Sequence, residues 1–139
     1  MEFMRVFYSH PMKLYGSDAE RRDIALIEKR FVGYDVVDPS AYQSETEPGR
    51  ETEYYLRILD TCDCLVFSRH FGNVTQGVKP EVEYALSKGK PVYELRDGRF
   101  IAVTRPVANL PIAERLLLRA KGALGIGQSQ ARAKPTADT

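Results

Sequence analysis

Short β-branched and aromatic runs alternate with longer stretches of helical periodicity along most of this chain, and that alternation restricts it to a layered α/β sheet. Residues 4–9 (MRVFYS) read as a strand bounded by His10-Pro11. A helix follows. Ser17 or Asp18 can cap it, because a short side-chain oxygen accepts from a free backbone N–H. Ile24, Leu26, Ile27 and Phe31 form its apolar stripe, and Gly33 ends it. Residues 34–37 form a second short strand, stopped by Asp38-Pro39, and the polar, Pro-Gly-containing residues 40–50 read as a loop. Residues 51–61 return to helix, with Tyr55, Leu56, Ile58 and Leu59 at apolar positions. Residues 64–68 (CLVFS) are almost continuously apolar, as a strand covered on both faces must be. After a loop at 69–77, Pro80 fits the first turn of a third helix, where its missing N–H costs nothing. Val82, Ala85 and Leu86 give that helix an apolar side, and Gly89 ends it. Residues 91–95 and 100–104 are two further strands joined by a turn at Arg96-Asp97-Gly98, and residues 111–121 are a last helix with Pro111 at its start.

The order β-α-β-α-β-α-β-β-α predicts an open, doubly wound, mostly parallel five-stranded α/β sheet with helices on both faces, the flavodoxin- or Rossmann-like arrangement. One domain over residues 1–121 accounts for it, and the small, polar, aperiodic residues 122–139 are expected to form a disordered tail. A net charge of +1 gives no field that would draw a nucleic-acid polymer. No apolar run reaches the roughly 18 residues of a membrane span, and no apolar leader is visible, so a cytoplasmic protein is expected. Cys62 and Cys64, read within a strand, share a face, but one intervening residue strains a direct bridge. Two thiols also fall short of a tetrahedral zinc site, so they read as small buried hydrophobes in a reducing compartment. No HExxH, Walker A or repeated cysteine-histidine spacing is present, and neither a metal nor a cofactor is expected.

In such sheets ligands bind outside the carboxyl ends of the strands, near the point where strand order reverses. The segments leaving those ends are residues 10–17, 38–43 and 69–81. Free N–H groups at a helix start attract anions, so Thr75, Gln76 and Gly77 offer a phosphate cradle. Glu81 sits in the first turn, where the dipole keeps a carboxylate ionised unless burial wins; the simpler reading has it complementing the dipole on a wet surface. Tyr8, at a strand end, either lines the pocket or belongs to the core. His10 is an acid or phosphate donor, or a loop histidine bonded to backbone. Arg69, beside His70, meets a phosphate or sits in a solvated loop. Ser17, after Gly16 and near Lys13, offers a second anion cradle. Asp38 binds a ribose hydroxyl or serves as a turn residue before Pro39. Arg21, Arg22, Lys29 and Arg30 read as the wet face of the first helix.

The run G-V-K-P-E-V-E-Y-A-L-S-K-G-K-P-V-Y, residues 77–93, resembles the signature of the nucleoside 2-deoxyribosyltransferase family, which includes deoxynucleoside 5′-monophosphate N-glycosidases. The resemblance extends more weakly over residues 4–95. It implies that Glu81 is the nucleophile: it attacks the anomeric carbon of a nucleoside or nucleotide, the base leaves, and water or a second base resolves the glycosyl-enzyme ester. It also implies a homodimer or higher homo-oligomer, for which Tyr54 with Tyr55 and residues 116–118 leave apolar surface.

The pattern departs from the family at three positions. Tyr55 stands where the family carries a helix aspartate, and a tyrosine with a pKa near 10 is a weak acid partner; Glu51 or Glu53 is close enough in sequence to substitute. Thr75 stands where the transferases carry a base-binding aspartate, and its hydroxyl leans toward a phosphorylated ligand. Glu83 replaces a glycine, and so either faces solvent or disturbs the pocket. The competing readings are a non-catalytic nucleotide-binding or sensing module, and an enzyme like the Toll/interleukin receptor-like NAD glycohydrolases, whose catalytic glutamate lies in a different local pattern.

Overall fold

The computed structural model describes residues 4–45 and 49–123. Among them are five strands, β1 (Arg5–Ser9), β2 (Asp35–Val37), β3 (Cys64–Phe67), β4 (Val92–Arg96) and β5 (Arg99–Val103). Four α-helices accompany them: α1 (Asp18–Arg30), α2 (Glu51–Asp60), α3 (Val78–Ser87) and α4 (Ile112–Ala123). The sheet order is β2-β1-β3-β4-β5. β1 is parallel to both β2 and β3, and β3 is parallel to β4. Only the β4–β5 pair is antiparallel. It closes as a hairpin through Asp97 and Gly98, both at positive φ (52° and 75°), the backbone that a tight two-residue connection demands.

This is the doubly wound α/β fold expected from the alternation of elements. From β1 the chain moves to one side for β2, then returns past β1 to β3, β4 and β5. The reversal of direction places α1 on one face and α2 and α3 on the other. Two cores result. Phe7, Leu65 and Phe67 pack with Tyr55, Leu59, Val78, Val82 and Ala85 under α2 and α3. Val6, Tyr8, Cys64 and Val66 pack with Ile27, Phe31 and Leu95 under α1. The period of two along β1 and β3 thus decides which helix each side chain meets.

Three sequence expectations need correction. Residues 39–45 are a 3₁₀ helix (Pro39–Glu45) rather than an open loop. Cys62 lies ahead of β3, not within it, so the two buried, free cysteines sit in different cores rather than on a shared face. Residues 122 and 123 still close α4, while the rest of the expected tail, residues 124–139, lies outside the described residues. Glu83 is exposed and leaves the interior undisturbed. Among the described residues, no helix is long and apolar enough to cross a membrane.

The loop after β3 is pinned to the start of α4. Leu110 N–H donates to the Gly72 carbonyl (3.0 Å), and the Arg115 guanidinium donates to Asn73 Oδ1 (3.0 Å) and to the Leu110 carbonyl (2.9 Å). Gly72 has φ +80, and a Cβ there would lie 2.9 Å from Arg115 Cγ and 3.1 Å from Leu110 Cδ1. Gly72→Ala should therefore combine left-handed strain with overpacking and cost about 2 kcal/mol, measured by urea denaturation. Gly98→Ala is the control, since its Cβ would meet nothing within 4 Å and only the strain remains.

Candidate functional site

β1 ends on Ser9, and His10 follows it; their side chains leave opposite faces of the sheet at its carboxyl edge. Ser9 points to the α3 side. Its Oγ donates to Glu81 Oε1 at 2.5 Å, and both residues are buried, Glu81 being only 5% exposed. Glu81 belongs to the first turn of α3 because Pro80 and the bonds from Val78 N–H and Lys79 N–H to the Thr75 carbonyl (3.1 and 2.9 Å) fix the helix start. The expected ionised, solvent-facing carboxylate is corrected here. Burial pushes the Glu81 pKa up to about 8, with the Ser9 hydroxyl offsetting only part of that rise. At neutral pH the carboxyl is mostly protonated.

Two tyrosines lie near enough to feel the charge of this carboxyl. Tyr55, on α2, is 7% exposed, and its pKa is raised by burial and then by the charge of Glu81. Tyr15 follows the 3₁₀ turn Met12–Leu14 and is half-buried. Its pKa is pushed far above 10 by burial, and then by Tyr55, Glu81, Asp38 and Glu20. Tyr15 therefore stands between the α3 face and a second group of polar side chains on the α1 face.

That second group centres on His10, which is 4% exposed. Its Nδ1 donates to the Tyr8 carbonyl (3.0 Å), since a carbonyl only accepts. Its Nε2 meets Glu20 Oε2 at 2.7 Å and lies 3.7 Å from Asp38 Oδ1. The His10 ring stacks on Tyr8 with centroids 3.8 Å apart, and Tyr15 tilts against it at 4.9 Å. Glu20 Oε1 accepts from Gly16 N–H (2.9 Å), and Asp38 Oδ1 accepts from Ser40 N–H (2.9 Å). Beneath them the Tyr8 hydroxyl donates to Asp23 Oδ2 (2.6 Å). Burial raises the Asp23 pKa to about 6 even though the Tyr8 bond pulls it down.

The structure thus brings Glu81, Tyr55, His10 and Asp38 to one edge and assigns other candidates elsewhere. Tyr8 is fully buried, a pillar under His10 rather than a lining residue. Ser17 caps α1, accepting from Glu20 N–H (3.1 Å) and donating to the Leu14 carbonyl (2.5 Å), so its hydroxyl is already engaged. Glu53 is exposed on α2 and paired with Arg50 (2.6 Å) and Arg57 (3.2 Å), away from Glu81. Arg69 grips buried Glu94 (Nε to Oε2, 2.8 Å) and donates to the Gly72 and Ala108 carbonyls (3.2 and 2.6 Å). It is a structural tie between loop and sheet, with no donor turned to the Glu81 edge in these bonds. Thr75 is half-buried and Gly77 exposed at the α3 start. A separate groove of about 230 Å³, lined by Arg5, Tyr42, Arg57 and Thr61 among others, lies beside the start of β1, away from these groups.

Ser9, Tyr15, Glu20 and Asp23 escaped the sequence reading. Glu20 carried a readable signal: Ser17-x-x-Glu20 is a capping-box spacing, and a box glutamate reaches back toward the chain entering the helix. Ser9 and Tyr15 carried none, because only the strand register and the 3₁₀ turn bring them to Glu81.

No known protein-family model matches the chain, and no curated protein does either. Among solved structures, the fold is similar to that of a conserved protein from Enterococcus faecalis V583, with TM-score 0.53 and 18% identity over 67% of this chain. This chain spans 63% of that protein's length. At that identity the likeness is one of fold.

Proposed function

We propose that the chain is a divergent member of the nucleoside 2-deoxyribosyltransferase-like group and cleaves an N-glycosidic bond of a nucleoside or nucleoside 5′-monophosphate through Glu81. The observation that carries this reading is a carboxyl buried at the carboxyl edge of β1 and held by the Ser9 hydroxyl, with Tyr55 and Tyr15 near enough to feel its charge. A purely structural glutamate gains little from such burial, because one hydroxyl partner does not offset the cost of taking a carboxyl out of water. Perturbed carboxyls of this kind concentrate at catalytic sites.

The proton inventory fits the reaction. A departing base needs one proton, and Glu81, with a pKa of about 8, carries one at neutral pH. Tyr55 and Tyr15, both shifted upward, are poor acids but can accept a proton on one lone pair while donating another. Glu81 gives its proton by way of Tyr55 to the base as the C–N bond breaks. The resulting carboxylate then bonds to the anomeric carbon. Water attacks the ester, returning the proton to Glu81 and releasing the sugar. This route dispenses with the separate helix aspartate that Tyr55 replaces. It predicts a rate that falls as pH rises past about 8.

The test is incubation with a panel of nucleosides and 5′-monophosphates, with chromatographic detection of free base. Release lowered at least about 10³-fold by Glu81→Gln supports the enzyme. The second reading, a binding or sensing module, draws on Tyr55 in place of an acid; silence across the panel with ligand-dependent thermal shifts would support it instead.

A further inference from the structure

We infer that His10, Glu20 and Asp38 form a binding site for a first-row divalent cation, separate from the Glu81 carboxyl and independent of the glycosidase reading. Their ligand atoms, one imidazole nitrogen and a carboxylate oxygen from each acid, all lie within 4.8 Å of one another. Bonds of about 2.1 Å place neighbouring ligands about 3–3.4 Å apart around such an ion, so movements on the order of an ångström complete the set. The Nε2–Oε2 contact of 2.7 Å is a hydrogen bond that an entering ion would open to about 3 Å.

What distinguishes this cluster from an ordinary ion pair is the support behind each ligand. The His10 Nδ1–H is held by the Tyr8 carbonyl, which leaves Nε2 as the coordinating nitrogen and fixes the ring plane. Tyr8 stacks on that ring and is itself anchored to Asp23. Glu20 is aimed by Gly16 N–H, and Asp38 by Ser40 N–H. Every ligand is thus oriented by a partner outside the set, as metal ligands characteristically are. The charge balance points the same way. Two carboxylates converge on one imidazole, and His10 is the ion-pair partner described for both. A dication would neutralise the pair of acids while leaving the imidazole neutral.

One nitrogen and two carboxylates suit Mn²⁺, Fe²⁺ or Zn²⁺ better than Ca²⁺, which prefers an all-oxygen shell. No local spacing marks this site, because position 10 follows β1, position 20 lies in the first turn of α1 and position 38 follows β2. Mn²⁺ is the probe of choice, since Zn²⁺ could also find the thiols of Cys62 and Cys64. Titration of the whole chain followed by electron paramagnetic resonance should give one bound Mn²⁺ per chain. Asp38→Asn keeps the acceptor for Ser40 N–H and should weaken binding at least tenfold. In the wild-type protein, Mn²⁺ should broaden the amide resonances of His10, Glu20 and Ser40 before those near Cys62, a readout that needs no variant to fold. Absence of Mn²⁺ binding at millimolar concentration, undiminished affinity in a folded Asp38→Asn protein, or broadening centred elsewhere would overturn the site.

Discussion

Glu81→Gln should make the protein more stable than wild type at about pH 9, by on the order of 3–5 kcal/mol, and leave it nearly unchanged near pH 4. The carboxyl has an ordinary value of 4.5 in the unfolded chain and about 8 when folded. Below 4.5 both states hold the proton, and glutamine is a close isostere that still accepts from Ser9. Between 4.5 and 8 the unfolded chain releases a proton that the folded chain retains, so wild-type stability declines as pH rises. Above the folded value the decline is complete. Each pKa unit corresponds to about 1.4 kcal/mol, and the side chain is too deeply buried for solvent to screen much of it. Urea denaturation of both proteins across this range measures the effect, and parallel stability curves would mean that the carboxyl is not held protonated by the fold. A gain in stability on removing a reactive group is the usual signature of an active site.

The second large effect is expected at Arg69. Arg69→Ala should destabilise the fold by about 3 kcal/mol. Burial alone would raise the pKa of Glu94, but hydrogen bonds from Arg96 and Arg69 outweigh it and hold the carboxyl below its usual range. Removing Arg69 takes away the more buried of the two guanidinium groups, the side chain of Arg69 being 10% exposed against 39% for Arg96. It also frees the Gly72 and Ala108 carbonyls that tie the β3–α3 loop to the segment before α4. Arg96→Ala should cost less, because that side chain gives up less on exposure to water. The sign with pH is opposite to that of Glu81. Glu94 contributes stability above its unfolded pKa and loses it as pH falls through the depressed folded value, so the Arg69→Ala deficit should shrink in acid. An unchanged unfolding midpoint at neutral pH would show that the pair adds nothing.

These two carboxyls illustrate what a sequence can and cannot disclose. The layered fold was legible because burial on two sheet faces leaves continuous apolar runs such as residues 64–68, and because Pro80 and Gly89 bracket a helix of the length observed. Glu81 was legible as a candidate from its distance to Gly77. Its protonation was not, since the helix dipole and desolvation act in opposite directions and only the packing of α3 against β1 decides between them. Arg69 was misread as a free cation because its partner lies 25 residues away, across a register between β3 and β4 that no local pattern encodes. His10 and Asp38 were each legible as candidates, but their convergence with Glu20 was not, because three separate elements deliver them to one point.

The central claim is that Glu81 forms a bond to the anomeric carbon of a nucleoside. Its most direct test is acid-quenched incubation with whichever nucleoside or 5′-monophosphate of the panel releases base, followed by peptide mass spectrometry. The predicted result is one glycosyl unit on the peptide containing Glu81, absent from the Glu81→Gln protein. Base release that proceeds undiminished in Glu81→Gln, or an adduct confined to another residue, would contradict it.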